Sequence, residues 1–292
     1  MAASKPSRMS GEAKRMGRPL ALAIGIAMAA TLAIGPGTRS VQAARQGSDS
    51  GALQAVRAAV EAELEASNTD HTVWTYRDQD RTPGKDAVYQ TIETPHGSLR
   101  RLLELGGKPL NDAQTEAETR RIVEFVNSPS EQAKAHRNDQ HDDAQARAML
   151  KMLPDAFLWT ISSQDADAIT LSFIPNPNFS PPDMQARVMG TMAGTMVIAK
   201  NGNRIRTLKG ALSQDVNIGW GLLGRLNQGG TFQVERRLVG NGHWQITETH
   251  VHIGGHALLF HTIGQQEDEE KTEWKLSTEL TLADAARTLH AM

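Results

Sequence analysis

The chain has no cysteine in its 292 residues. That absence removes disulfides, thiolate metal sites, cysteine nucleophiles and a lipid-modified N-terminal cysteine together, so stability has to come from packing and hydrogen bonds. Also missing are a G-x-S-x-G elbow, a G-x-x-x-x-G-K-[ST] loop and an H-E-x-x-H helix, the short patterns that seat a nucleophile, a phosphate or a zinc ion. Carboxylates are plentiful, but a sequence does not reveal which two are desolvated, and no acid and base pair is assigned. No repeat of solenoid period is visible. Lys and Arg are spread rather than striped, which argues against a nucleic-acid face.

The longest apolar run, Leu20 to Ile34, is short of the roughly 18 to 20 residues of a spanning helix. Lys5, Arg8, Lys14, Arg15 and Arg18 precede it, and Gly35-Pro36 and the small-x-small triplet Val41-Gln42-Ala43 follow it. This is the pattern of a cleaved signal peptide over residues 1–43, with an uncleaved inner-membrane anchor as the alternative. With no twin-arginine pair before the run, the expected route is Sec export to the periplasm. Residues 1–43 hold six Lys/Arg and one Asp/Glu, leaving 25 basic against 32 acidic residues and a net charge of −7.

Residues 44–292 read as a single domain. Ser48 to Ser67 has Leu53, Val56, Val60 and Leu64 on one stripe of an amphipathic helix. Three strands in meander follow, over His71 to Arg77, Ala87 to Thr94 and Ser98 to Leu105, with turns at Pro83-Gly84 and Pro95-His96-Gly97. The period then becomes helical from an Asn111 cap to Val126, and Ser128-Pro129-Ser130 restarts a helix that ends near Leu153. Residues 111–153 are therefore a helical insertion, its polar middle a solvated helix face. Phe157 to Ser162 and Ala168 to Phe173 read as a hairpin. A Pro-rich link and a helix starting at Pro182 come next, the helix carrying Met184, Val188, Met189 and Met192.

From Gly194 to Gly264, short alternating segments are punctuated by Asn201-Gly202, Asn241-Gly242 and Gly254-Gly255, read as three two-residue turns of an antiparallel meander. Met196-Val197-Ile198 should pair with Ile205 to Leu212. Phe232, Val234 and Leu238 should face Trp244 and Ile246, and Val251 and Ile253 should turn into Leu258-Leu259-Phe260. The acidic run Glu267 to Glu270, a strand Thr272 to Leu276 and a helix over 281–290 capped by Thr281 close the chain. The expected fold class is α+β, a curved antiparallel sheet or incomplete β-barrel embracing helices.

The segments Gly194 to Ile205, Gly230-Thr231-Phe232-Gln233-Val234 and Gly242-His243-Trp244-Gln245-Ile246, with the signal peptide and the first helix, resemble the LolA/LolB-like superfamily of periplasmic lipoprotein-sorting and lipid-binding proteins. The chain is also similar to exported bacterial proteins of unassigned activity. The resemblance implies a half-open barrel with an apolar groove for acyl chains, a non-enzymatic role and no cofactor. Two departures stand out: the insertion has no counterpart, and the lack of cysteine excludes an acylated receptor of the LolB kind. The inner arginine of lipoprotein carriers has six candidates, Arg77, Arg100, Arg101, Arg204, Arg206 and Arg236.

Groove residues expected on this reading are Trp74, Met184, Met192, Phe232, Val234, Trp244, Ile246 and Phe260. Trp220 and Leu222 would form an apolar lip among glycines 219, 221, 224 and 229. Each has an ordinary core role as its alternative, since methionines and aromatics on amphipathic elements usually just pack. The partner class is a lipid or other hydrophobic ligand, with transient contact to an envelope membrane or protein and no nucleic acid. Two rival readings are an envelope-stress interaction module docking through 267–270, and a metal-dependent enzyme built on the His-rich segment 248–261. In the second, Glu248, His250 and His252 would share one strand face, against the alternative of a polar, solvent-facing surface.

Overall fold

A computed structural model describes residues 48–218, 224–257 and 261–292; the expected signal peptide, Trp220, Leu222 and Phe260 lie outside them. Among the described residues the architecture is α+β: one large antiparallel sheet, not closed, and five helices. The helices are α1 (Ser50–Thr69), α2 (Asp112–Val126), α3 (Pro129–Ala156), α4 (Met184–Gly190) and α5 (Leu282–His290). The principal strands are β1 (Trp74–Thr82), β2 (Lys85–Thr94), β3 (Gly97–Leu105) and a short β4 (Lys108–Pro109), then β5 (Phe157–Gln164), β6 (Ala168–Pro175), β7 (Met192–Ala199) and β8 (Arg204–Leu212). Short strands β9 (Val216–Ile218) and β10 (Gly224–Leu226) precede β11 (Thr231–Gly240), β12 (His243–Ala257) and β13 (His261–Leu276). Across the sheet the order is β4-β3-β2-β1-β13-β12-β11-β8-β7-β6-β5, so the first and last long strands are hydrogen-bonded neighbours in the middle.

Helix starts follow the side chains available to cap them. Asn111 and Gln114 form a reciprocal capping box on α2, Thr281 and Asp284 another on α5, and Ser128 with Pro129 at the first turn opens α3. The helices sort to two faces. On the front face, α1, α3 and α4 cover a core in which Val56, Ala59, Val60, Met149, Leu153 and Val188 meet Trp159, Phe173, Met192, Met196, Leu208 and Phe232. On the back face, Ile122 of α2 and Leu282, Ala285 and Leu289 of α5 pack on Ile92 and Leu99 of β2 and β3. Strand β2 is consequently buried on both sides.

The front core depends on a glycine pair. Cross-strand partners Trp159, Phe173, Gly194, Gly210, Phe232 and Val251 form one row over six strands. A Cβ on Gly210 would stand 3.0 Å from Phe232 and 3.2 Å from Phe173, so the missing side chains leave the volume that the two rings fill.

The meander differs from expectation in four places. Asn241-Gly242 is a two-residue turn with φ of 44° and 85°, as the sequence predicts, but Asn201-Gly202 belongs to a longer 3-10 turn, Asn201–Asn203, between β7 and β8. Gly254-Gly255 is not a turn. Strand β12 runs through both glycines to Ala257, with Gly254 opposite Gly264 and Gly255 opposite Ile263. Gly255 serves close approach instead: its Cβ would lie 2.2 Å from the Arg225 carbonyl oxygen of β10, whereas a Cβ on Gly254 would meet nothing within 4 Å. The third difference is β13, which begins at His261 rather than Thr272 and takes the acidic run into the sheet. In β11, a bulge between Glu235 and Arg236 shifts the pairing, so Phe232 faces Val251 and Val234 faces Thr249, while Leu238 does face Trp244.

Substituting Gly194→Ala should destabilise the fold by about 2–4 kcal/mol, because its Cβ would lie 2.0 Å from the Lys209 carbonyl oxygen, a backbone atom that cannot swing away. Urea denaturation of the purified variant checks this; unchanged stability would contradict the packing described.

Candidate functional site

The sheet is split near its centre. Strands β12 and β13 are paired from Ala257 and His261 down to Glu248 and Glu270, and there the ladder stops. Beyond that point residues 243–247 stay with β11, while 271–276 stay with β1. The cause is visible in β13, where Glu273 has φ of 56°, a left-handed conformation uncommon for a non-glycine residue. The kink rotates Trp274 into the gap. Its indole Nε1 donates to the Lys271 carbonyl oxygen at 3.0 Å, and its ring stacks on Tyr76 at 4.4 Å between centroids. Trp74 stands edge-on to both Trp274 and His243, at 6.0 Å and 5.6 Å, and His243 Nδ1 lies 2.9 Å from Asp70 Oδ2 just past the end of α1. Between the two arms is an open cleft of about 300 Å3, lined by Arg237, Leu238 and Glu248 on one side and Glu270, Thr272 and Trp274 on the other.

Beside the fork the front face turns polar. Asp78 and Asp80 of β1 stand opposite Lys271 and Glu269 of β13, and Tyr76, Tyr89 and Arg100 adjoin them. The Lys271 ammonium lies 3.1 Å from Glu269, Arg100 lies 3.7 Å from Asp80, and the Arg100 guanidinium sits 3.5 Å above the Tyr89 ring. Asp78 is only 3% exposed, and one carboxylate oxygen of each of Asp78 and Asp80 has no hydrogen-bond partner. Burial, together with the Glu269 charge, pushes the Asp78 carboxyl up to about 6. Burial and then the Glu93 and Asp78 charges raise the Tyr76 hydroxyl, while for Lys271 the surrounding carboxylates outweigh burial and hold the ammonium on.

A second buried charge ties α1 to the sheet. Glu63, 3% exposed, accepts from Arg204 Nε and Nη2 at 3.1 and 2.9 Å and from the Ile205 backbone N–H at 2.9 Å, and it is ion-paired with Arg236. Burial alone would raise its pKa; Arg236 and Arg204 overcome that and lower it.

The residues expected from sequence fall into separate groups. Met192 and Phe232 are in the front core and Met184 packs against it, with Val234 buried in the adjoining row. Trp74 belongs to the aromatic group at the fork, two intervening strands from β11. Trp244 and Ile246 lie on the β12 arm, paired with Leu238 and Arg236. Glu248, His250 and His252 do share one face, the back one, but both imidazoles engage Asp268, at 2.6 and 3.0 Å, and Arg237 engages Glu248. Among the described residues no group of three or more His, Asp or Glu side chains is placed to hold a metal ion. The run 267–270 is not one docking face either, since it alternates: Glu267 and Glu269 point to the front and Asp268 and Glu270 to the back. The polar middle of α3 is less solvated than expected at Asp139, whose carboxyl is pushed up to about 7 by burial and then by Asp143 and Asp142.

No family model, curated protein or solved structure matches this chain. What its site does has to be argued from the side chains themselves. Those that sequence reasoning missed are Glu63, Asp78, Asp80 and Lys271, while Glu269 was singled out only as part of the acidic run 267–270. Only Glu63 left a signal, a carboxylate three residues after Val60 on an otherwise apolar stripe.

Because the Asp78 pKa is higher folded than unfolded, the folded state holds that proton more tightly. Its contribution therefore becomes less favourable as pH rises from about 4 to about 6 and is flat above. Asp78→Asn should accordingly raise stability by about 1–3 kcal/mol at pH 7.5 and leave it nearly unchanged at pH 4. Thermal melts of both proteins across that range check the difference; a gain that is equal at all pH values would show that Asp78 is not the titrating group.

Proposed function

We propose that the protein is exported to the periplasm and acts without catalysis, binding a hydrophobic or lipid ligand on the front face of its open sheet, which curves into a half-barrel. The observation that carries this reading is a face that no helix of the described residues covers extensively, whose inward side chains, among them Trp74, Tyr76, Val251 and Ile253, are buried by the curl of the sheet itself. Helices α1 and α3 pack on β5 and β8, and α2 and α5 on β2 and β3, but among the described residues no helix packs extensively on β1, β13, β12 or β11. Curvature is supported by the approach of β11 to β13 across the strand between them, and by the contact of His243 on β12 with Trp74 on β1. Half-buried Trp244 and Trp274 supply aromatic surface at one end of that face, backed by buried Trp74 and Tyr76, and the array of buried Asp78 and Asp80 with Lys271 lies beside them as the polar region nearest the head of an amphiphile. Among the described residues no helix is long and apolar enough to cross a membrane, a statement that leaves strands aside.

The energetics permit such binding. Burying a 16-carbon chain is worth on the order of 10 kcal/mol at about 0.8 kcal/mol per methylene, against association costs of at least ~4 kcal/mol, which leaves micromolar affinity. Titration with a fluorescent lysophospholipid should give saturable binding, weakened about ten-fold or more by Trp244→Asp. Trp244 is half-buried, so the variant reports on binding rather than on collapse of the core, as Met192→Asp would. Absence of saturable binding in the unmodified protein overturns the proposal.

A further inference from the structure

The fork between β12 and β13 carries a second site, on the evidence of its charges. Glu235, Glu248 and Glu270 are directly opposite one another on β11, β12 and β13, three like charges in one cross-strand row. Like charges so placed are destabilising, and a sheet normally avoids them or supplies counter-charges. Two are supplied for: Glu235 accepts from the Thr207 hydroxyl at 3.1 Å, and Glu248 is ion-paired with Arg237. Glu270 has no hydrogen-bond or ion-pair partner among the described residues. The neighbouring ammonium cannot serve it, because Lys271 points to the front face and is bound to Glu269.

Glu270 borders the cleft of about 300 Å3, and the opposite wall combines an apolar stretch, Leu238 and Val239, with Thr247 and the paired Arg237 and Glu248. Leu238 is 55% exposed there, beside Val239, with Trp274 at the base. That volume is at the small end of those that hold organic ligands, and the combination of an apolar stretch with one unsatisfied anionic group is what orients an amphipathic molecule. A bare metal ion fits poorly, since no set of three carboxylate or imidazole groups converges among the described residues. An anion fits worse, because the one guanidinium in the cleft is already engaged by Glu248.

We propose that this cleft binds an amphipathic organic cation, with an ammonium group held between Glu270 and Glu248 and an apolar body lying on Leu238, Val239 and Trp274. The bound cation would relieve the repulsion between glutamates that the ladder tolerates at the point where the sheet divides. The kink at Glu273 then has a purpose: it opens the arms and sets Trp274 as the floor. Glu248 and Glu270 are on the back of the sheet, while Trp274, stacked on Tyr76, is shared with the front face, so the octanoate control separates this site from a lipid surface in front.

The test is calorimetric titration of the full chain with octyltrimethylammonium and with octanoate, both below their micellar concentrations. Octyltrimethylammonium should bind at least about ten-fold more tightly, and Glu270→Gln should weaken it about ten-fold while leaving octanoate unaffected. Glu270 is exposed, so that variant should fold. Amide NMR shifts in the unmodified protein provide a measurement free of any substitution, and they should concentrate at Leu238, Val239 and Thr272. Equal affinity for the two amphiphiles, unchanged binding in Glu270→Gln, or shifts centred elsewhere would each overturn the proposal.

Discussion

One buried carboxylate holds the helical layer to the sheet. Glu63 faces two guanidinium groups and a backbone N–H from β8 and β11, so the helix that covers the front core is fixed by charge as well as by apolar contact. Burying such a group is costly, and the Coulomb gain offsets the desolvation only when its lone pairs are filled, as they are here. Removing Glu63 would leave two guanidinium groups without their shared carboxylate, a loss typically worth about 3–5 kcal/mol in destabilisation, roughly enough to unfold a marginal domain. The same contact sets where cover ends. α1 lies along β5 and β8, and its C-terminal end meets the β12 arm through Asp70 and His243, leaving the central strands without a helix.

Much of the secondary structure was legible because local chemistry and tertiary structure agree. The capped starts of α2, α3 and α5, the three N-terminal strands and the Asn241-Gly242 turn each rest on side chains that act within a few residues. Gly254-Gly255 was misread because glycine answers two needs that a sequence does not separate: a positive φ in a turn, or room for a third strand. Here Arg225 of β10 occupies the room. The acidic run 267–270 stands outside the strand expected from Thr272 because four carboxylates in a row carry no sign of which sheet partners would receive them. They enter it by alternating, with Lys271 and the two histidines on opposite faces to receive them. The fork was invisible for a related reason. Nothing in Glu273 or Trp274 announces a left-handed residue, and a ladder that stops halfway is a property of two strands distant from their other partners.

The two faces give the central strands different chemistry. In front, the row that begins at Trp159 and Phe173 is apolar through Phe232 and Val251 and then meets Glu267, and the next row runs from Leu171 and Met196 through Val234 to Glu269 and Asp80. An apolar surface therefore grades into a buried polar one within a single sheet. Behind, the same strands carry His250, His252, Asp268 and the glutamate row, and among the described residues no helix packs extensively over them. A ligand with an apolar body and a polar end matches the front, and a small cation matches the cleft between the arms.

The central claim is that the front face of β1, β12 and β13, on which no helix of the described residues packs extensively, opens to receive an apolar ligand. Amide hydrogen exchange read by mass spectrometry, with and without a saturating lysophospholipid, tests it most directly. The account predicts added protection in 74–80, 243–253 and 265–276, with α2 and α5 unchanged. Protection confined to α2, α3 or α5, or none at saturation, would contradict it.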